Sequence, residues 1–380
     1  MIGTSDAATE LAAIQSRRAG ATPITPDERL ARIDRARALM AEQGADALIV
    51  GAGDSLNYFT GIGWSMIERL VAMVLIAGRD PVILCPAFEE GSLQAALKIP
   101  AEARLWHEDE SPSAMIASLL GDAGLLADAG LLADTGARRI AIDPALPFGM
   151  AEAIAAAAPA ARLVSGAAVI DGCRMRKSPA ELALIGQAMA MTLEVQRRAA
   201  AILRPGIRAS EVRRFIEAAH RAIGSDGTTF CIVQFGASTA FPHGLPQDDV
   251  LADGDMVLVD TGCLLDGYHS DLTRSYVFGT PTEAQRRIWD IERAAQLAVF
   301  AAARPGVPCG ALDDAARAVL QRHGLGPDYQ LPGLPHRTGH GLGMTIHEAP
   351  YLVRGNATPL APGMCLSNEP MIVVPGRFGV

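Results

Sequence analysis

Residues 27–43, DERLARIDRARALMAEQ, set apolar positions at helical spacing between alternating charges and predict an amphipathic helix. Short apolar runs follow: ALIV at 47–50, LVAMVLIAG at 70–78, PVILC at 81–85 and RRIAID at 138–143, with helical stretches between them. Strand and helix in alternation predict an α/β domain with a covered sheet. Within it, DAGLLADAGLLAD at 122–134 is a single tandem repeat, too short for a solenoid, and reads as a lengthened surface helix or loop.

The texture changes near residue 170. MRKSPAELALIGQ opens a long helix with Ser178 as N-cap, Pro179 at the first helical position and Glu181 three residues after the serine. A second helix is predicted over 209–223. Long strand-like stretches follow: TTFCIVQFG, MVLVDTGCLLDGYHSDLTRSYVFG and the C-terminal pair MCLSN and MIVVPG. Helices over 282–303 and 309–322 interrupt them. Strands and helices in separate runs predict an α+β second half. The expected division is 1–168 and 169–380.

Composition narrows the classes. With 380 residues, 49% hydrophobic and 20% charged, the chain has the make-up of a globular protein long enough for two cores. A net charge of −9 argues against nucleic acid or an anionic membrane surface as partner. The most apolar window, 70–78, is half the length needed to span a bilayer. The N-terminus lacks the basic stretch and apolar core of a secretory signal, and the six cysteines are scattered without a C-x-x-C pair. Buried, reduced thiols in a cytoplasmic protein are the expectation.

The candidate chemistry begins in the central hairpin. Asp266-Gly267 is a two-residue turn signal. With those two as the loop, Leu265 pairs with Tyr268, Gly262 with Asp271 and Asp260 with Thr273. Asp260 and Asp271 then share a face as diagonal neighbours. Two carboxylates on an apolar strand call for a cation, and Arg274 has the wrong parity in this register. A divalent metal answers that need; the alternative is one solvated aspartate and one capping the turn.

Histidines and a third carboxylate add to this. His243 lies in the loop PHG, and HRTGHGLGMTIHEAP holds His336, His340 and His347 among glycines that disfavour a helix. His347-Glu348 is not the start of a zinc-protease H-E-x-x-H. His269 shares the face of Asp271, whereas His107, His220 and His323 read as core or surface residues. Glu369, in SNEP, precedes an apolar strand-like run. Asp, Asp, His and Glu form a hard, oxygen-rich donor set that suits Mn, Co, Fe or Zn.

These stretches, FPHG at 241–244, VLVDTGCLLDGYHSDLTR at 257–274, HRTGHGLGMTIHEAP at 336–350 and SNEP at 367–370, resemble the M24 metallopeptidases of the pita-bread fold. That group contains prolidases, aminopeptidase P and methionine aminopeptidase, with creatinase as a non-metal relative. NYFTG at 57–61 resembles the creatinase-type N-domain more loosely. The resemblance implies an α/β N-terminal domain plus an α+β pita-bread C-terminal catalytic domain. It implies Asp260, Asp271, His340 and Glu369 as ligands of two divalent ions, Mn foremost, with Asp271 and Glu369 bridging. His243 and His347 match the family's catalytic histidines and His336 a substrate-contacting position. The implied activity is hydrolysis of Xaa-Pro dipeptides by a cytoplasmic homodimer. Aminopeptidase P-like trimming is the alternative, and a creatinase-like hydrolase or an inert binding module is opposed by the retained ligands. The family pattern has one more bridging carboxylate, in an R-I-E-D-like strand expected a few residues past Val380. The expectation is therefore a chain cut short of that ligand; were it whole, one ion would bind weakly or not at all.

Overall fold

The computed structural model describes residues 2–126 and 138–380. They form two compact units, Ile24–Arg174 and a second made of Met175–Val380 with the N-terminal residues 1–23. The boundary expected after residue 168 falls inside the helix Ala167–Arg174, which belongs to the first unit. Of the tandem repeat, residues 127–134 lie outside the described residues.

The first unit is α/β. Its six strands are β1 (Ala47–Gly51), β2 (Ala72–Ile76), β3 (Val82–Pro86), β4 (Glu102–Trp106), β5 (Arg138–Ile142) and β6 (Ala161–Ser165), ordered β4-β3-β2-β1-β5-β6. β1 and β2 are buried along their whole length, as a sheet covered on both faces requires. The two strands missing from the sequence reading, β4 and β6, are the sheet's edges. Their residues are mostly exposed or half-buried, so neither carries an apolar run.

The second unit builds its first half on a strongly capped helix, Pro179–Ala201. Ser178 accepts from the Glu181 amide while the Glu181 carboxylate accepts from the Ser178 amide, a reciprocal cap on the order of 1 kcal/mol. This helix and the helix Ala209–Ala222 pack on the sheet of β7 (Gly227–Phe235), β8 (Met256–Leu265), β9 (Tyr268–His269) and β10 (Leu272–Val277). β8 is central, between β7 and β10, with β9 pairing its end. The second half places the paired helices Glu283–Ala302 and Cys309–Arg322 over the short strands β11 (Gly339–Gly341), β12 (Glu348–Leu352), β13 (Val373–Val374) and β14 (Phe378–Gly379). A core including Ile288, Ile291, Leu312, Val319, Leu334, Leu352 and Ile372 joins them.

The C-terminal strand pair is shorter than expected. Only Val373–Val374 of MIVVPG forms a strand, and MCLSN contributes an isolated bridge from Leu366 to Gly341. Pro370 brings no amide hydrogen to this stretch, so regular pairing cannot run through it. The segment nevertheless runs antiparallel beside β11: the amides of Leu342, Ser367 and Glu369 donate to the carbonyls of Cys365, His340 and Thr338.

Candidate active site

The hairpin register is the expected one. Leu265 pairs with Tyr268, Leu264 with His269, Thr261 with Leu272 and Asp260 with Thr273. Asp266 and Gly267 both have positive φ, 49° and 85°, as a two-residue turn of this hand requires. The Thr273 hydroxyl donates to Asp260 Oδ1 at 2.8 Å and fixes that carboxylate on the face it shares with Asp271. At the far end of the hairpin, the His269 amide donates to the Gly343 carbonyl at 2.9 Å and ties β9 to the glycine-rich loop.

That loop brings His340 in. A Cβ on Gly339 would meet the Ser367 carbonyl at 2.2 Å, and one on Gly341 the Ala349 carbonyl at 2.4 Å. Two backbone-close glycines therefore let β11 slot between β12 and the segment carrying Glu369. His340 Nε2 lies 3.4 Å from Asp271 Oδ2 and 3.2 Å from Glu369 Oε1. One donor atom from each of Asp271, His340 and Glu369 falls within 4.8 Å of the others, a spacing that a single metal ion can span. Ser367, not singled out from sequence, braces the group: its hydroxyl accepts from the His340 amide at 2.9 Å and donates to Glu369 Oε1 at 3.1 Å. Thr273, set opposite Asp260 by the hairpin register, braces that aspartate in the same way.

The electrostatics favour a cation. Burial, and then the neighbouring charge of Asp271, push the Asp260 carboxyl up to about 7 despite the Thr273 hydrogen bond. Burial opposes charge on His340, yet hydrogen bonds to Asp271 and Glu369 outweigh it and raise the imidazole to about 10. Burial likewise opposes ionisation of Glu369, and the hydrogen bond and charge of His340 more than offset it and hold the carboxyl below its ordinary range. Three acidic groups thus share one imidazolium. Replacing that proton with a divalent ion supplies more positive charge to the same oxygens, so the donor set fits a hard metal.

The remaining histidines differ in placement. The His347 ring packs edge-on against His340, 4.2 Å between centroids. Burial, followed by the charges of His340 and Arg337, keeps it below its ordinary pKa and therefore neutral at pH 7. His336 is half-buried, its Nδ1 2.7 Å from the Arg337 carbonyl. His243 is exposed on the turn after Gly236–Ala240, and no hydrogen bond joins it to the acid cluster among the described residues.

A match to the family model for Metallopeptidase family M24 extends over residues 183–380, more than half of the chain and all of this constellation. The chain belongs to metallopeptidase family M24. Residues 32–176 match the Creatinase/Prolidase N-terminal domain, which accounts for the α/β unit. The M24 chain is 35% identical to the "Probable dipeptidase PepE" of Mycobacterium tuberculosis, over 92% of this chain and 88% of that one. It is 30% identical to the Xaa-Pro dipeptidase of Lactobacillus delbrueckii subsp. lactis, over 92% and 91%. Among solved structures, the dipeptidase PepE of Mycobacterium ulcerans superposes with a TM-score of 0.84 at 32% identity, covering 94% of this chain and 92% of that one. As an M24 metallopeptidase, the protein is a hydrolase. No helix among the described residues is long and apolar enough to cross a membrane.

Proposed function

We propose that this M24 hydrolase is a metal-dependent dipeptidase that cleaves Xaa-Pro dipeptides. The observation that carries the reading is the convergence of Asp271, His340 and Glu369 on one point, with Asp260 beside them on the same face. The printed activities of its relatives, dipeptidase and Xaa-Pro dipeptidase, supply the substrate class.

In this reading Asp260, Asp271, His340 and Glu369 hold the divalent cation. When bound, that cation acidifies a water and polarises the scissile carbonyl. Glu369, partly open to the site, accepts the proton of the attacking water and passes it to the leaving proline nitrogen. Neutral His347 donates an N–H to the carbonyl oxygen as charge develops there. His336 contacts substrate beside Glu369, and His243 contributes from its turn. Manganese is the favoured ion on the hardness of the donors. A homodimeric, cytoplasmic enzyme completes the reading and rests on the family resemblance.

The test is direct. Protein stripped with EDTA and reconstituted with Mn²⁺ is assayed on Ala-Pro and on Ala-Pro-Ala. Hydrolysis of the dipeptide is expected. Turnover of the tripeptide alone would reassign the protein as an aminopeptidase, and turnover of neither would refute the reading.

A further inference from the structure

The hairpin ladder is interrupted at Asp271 and the residue before it. Pairing runs through Leu265 opposite Tyr268 and Leu264 opposite His269, and resumes in the same register at Thr261 opposite Leu272. In that register Cys263 faces Ser270, and the two should exchange a pair of backbone hydrogen bonds. One forms: the Ser270 amide donates to the Cys263 carbonyl at 2.9 Å. The Cys263 amide, however, donates to the Ser270 hydroxyl at 2.8 Å. A side-chain oxygen stands where the carbonyl of the same residue belongs.

The displaced carbonyl turns out of the ladder against Gly262, which faces Asp271 in this register and alternates onto the side of Asp260. A Cβ on Gly262 would meet the Ser270 oxygen at 2.0 Å, so the carbonyl fills the space a side chain would take. The peptide bond is planar, so this turn also fixes the Asp271 amide, which donates to Met189 Sδ at 3.4 Å. Both ends of the plane that leads into Asp271 are thereby held.

The hydroxyl that makes the exchange is itself anchored. Ser270 Oγ lies 2.7 Å from Thr192 Oγ1 on the helix Pro179–Ala201, and Thr192 Oγ1 lies 3.2 Å from His220 Nε2 on the helix Ala209–Ala222. The other ring nitrogen of His220 is 2.9 Å from the Thr228 hydroxyl on β7. Ser270, Thr192 and His220 are all fully buried. Polar groups in such a layer are costly unless bonded, and this run of them ends beside Asp271.

We propose that Ser270 is the positioning residue for Asp271: its hydroxyl, anchored by Thr192 and His220, replaces its own carbonyl in the ladder and so turns Asp271 toward His340. The proposal rests on the metal-centre reading above and deepens it. Without the hydroxyl, the buried Cys263 amide regains a partner only if the carbonyl of residue 270 swings back into the ladder. That swing rotates the peptide plane and withdraws Asp271 from His340.

Isothermal titration of Mn²⁺ into EDTA-stripped protein tests this. S270A is expected to bind the ion about tenfold or more weakly than wild type, and S270T, which keeps the hydroxyl, to recover most of the loss. V195A is the control for lost stability alone, because Val195 is fully buried on the same helix and should leave Mn²⁺ affinity at the wild-type value. Should S270A fail to fold, G262A reaches the same peptide from the opposite side and must also weaken binding. Wild-type affinity in the folded S270A or G262A, or an equal loss in V195A, would overturn the positioning role while leaving the metal centre intact. A metal-free crystal structure of S270A separates the converse case. The Cys263 amide paired with the carbonyl of residue 270, and Asp271 drawn away from His340, would keep the positioning role even if wild type bound no Mn²⁺ and the metal reading fell. An unmoved Asp271 would overturn it.

Discussion

Lys177 Nζ lies 2.6 Å from Glu348 Oε1, with the two side chains only 1% and 8% exposed. Glu348 directly follows His347, and its carboxylate lies against Gly343, within 3.4 Å of the Thr345 amide. The pair therefore pins the loop that carries His347 from the start of the helix Pro179–Ala201. Removing one partner strands a buried charge, at a cost of about 3–5 kcal/mol. Urea denaturation of K177M should show a loss of that size, and K177M/E348Q should recover part of it. A K177M midpoint equal to wild type would remove the clamp from the account.

Gly339→Ala should separate Glu369 from His340. The new methyl would sit 2.2 Å from the Ser367 carbonyl, which is backbone and cannot rotate away. Overpacking of this kind costs about 1–3 kcal/mol. The expected result is a lowered melting temperature together with weaker Mn²⁺ binding; an unchanged metal affinity would mean that the close approach does not position the ligands.

Thr273→Val deletes the hydroxyl that orients Asp260 while keeping the strand's shape. Loss of such a supporting hydrogen bond typically costs about 10–100-fold in metal affinity. Isothermal titration with Mn²⁺ measures it, and a drop of less than twofold would count against Asp260 as a ligand.

His220 gives the stability a pH signature. Its imidazole is wholly buried, between the Thr192 hydroxyl at 3.2 Å and the Thr228 hydroxyl at 2.9 Å. Burial depresses it from 6.5 to about 4. The unfolded chain thus binds a proton more readily than the native one between these values. Stability from the neutral ring is complete well above pH 6.5 and drains away as pH falls toward 4, by on the order of 3 kcal/mol. Denaturation midpoints at pH 7 and pH 4.5 should therefore differ less in H220Q than in wild type.

Several of these features could be read from sequence because they are local. The cap of Ser178, Pro179 and Glu181 and the turn at Asp266-Gly267 are written in adjacent residues, and the turn alone fixed the Asp260–Thr273 register. His220, expected in the core or at the surface, lies in the core. Other features escaped for equally physical reasons. Edge strands β4 and β6 need no apolar run, because one side of each is open. The apolar run after Glu369 suggested a longer strand than forms, because the Met371 amide turns back to the Glu369 carbonyl and Pro375-Gly376 turns the chain after Val374. Lys177 and Glu348 are 171 residues apart, and Arg337 meets Tyr351 only because β11 and β12 fold together. No periodicity carries such contacts. The ligand set itself was reached through motif resemblance, with the hairpin parity as its one independent physical support.

A metal-dependent dipeptidase requires that the cluster of Asp271, His340 and Glu369 holds a divalent ion. Titration of Mn²⁺ into EDTA-stripped protein, compared with D271N, measures this directly. The prediction is a saturable isotherm with proton release in the wild type, as the cation displaces the His340 proton, and its collapse in D271N. An absent isotherm in the wild type, or an equal one in D271N, would contradict the central claim.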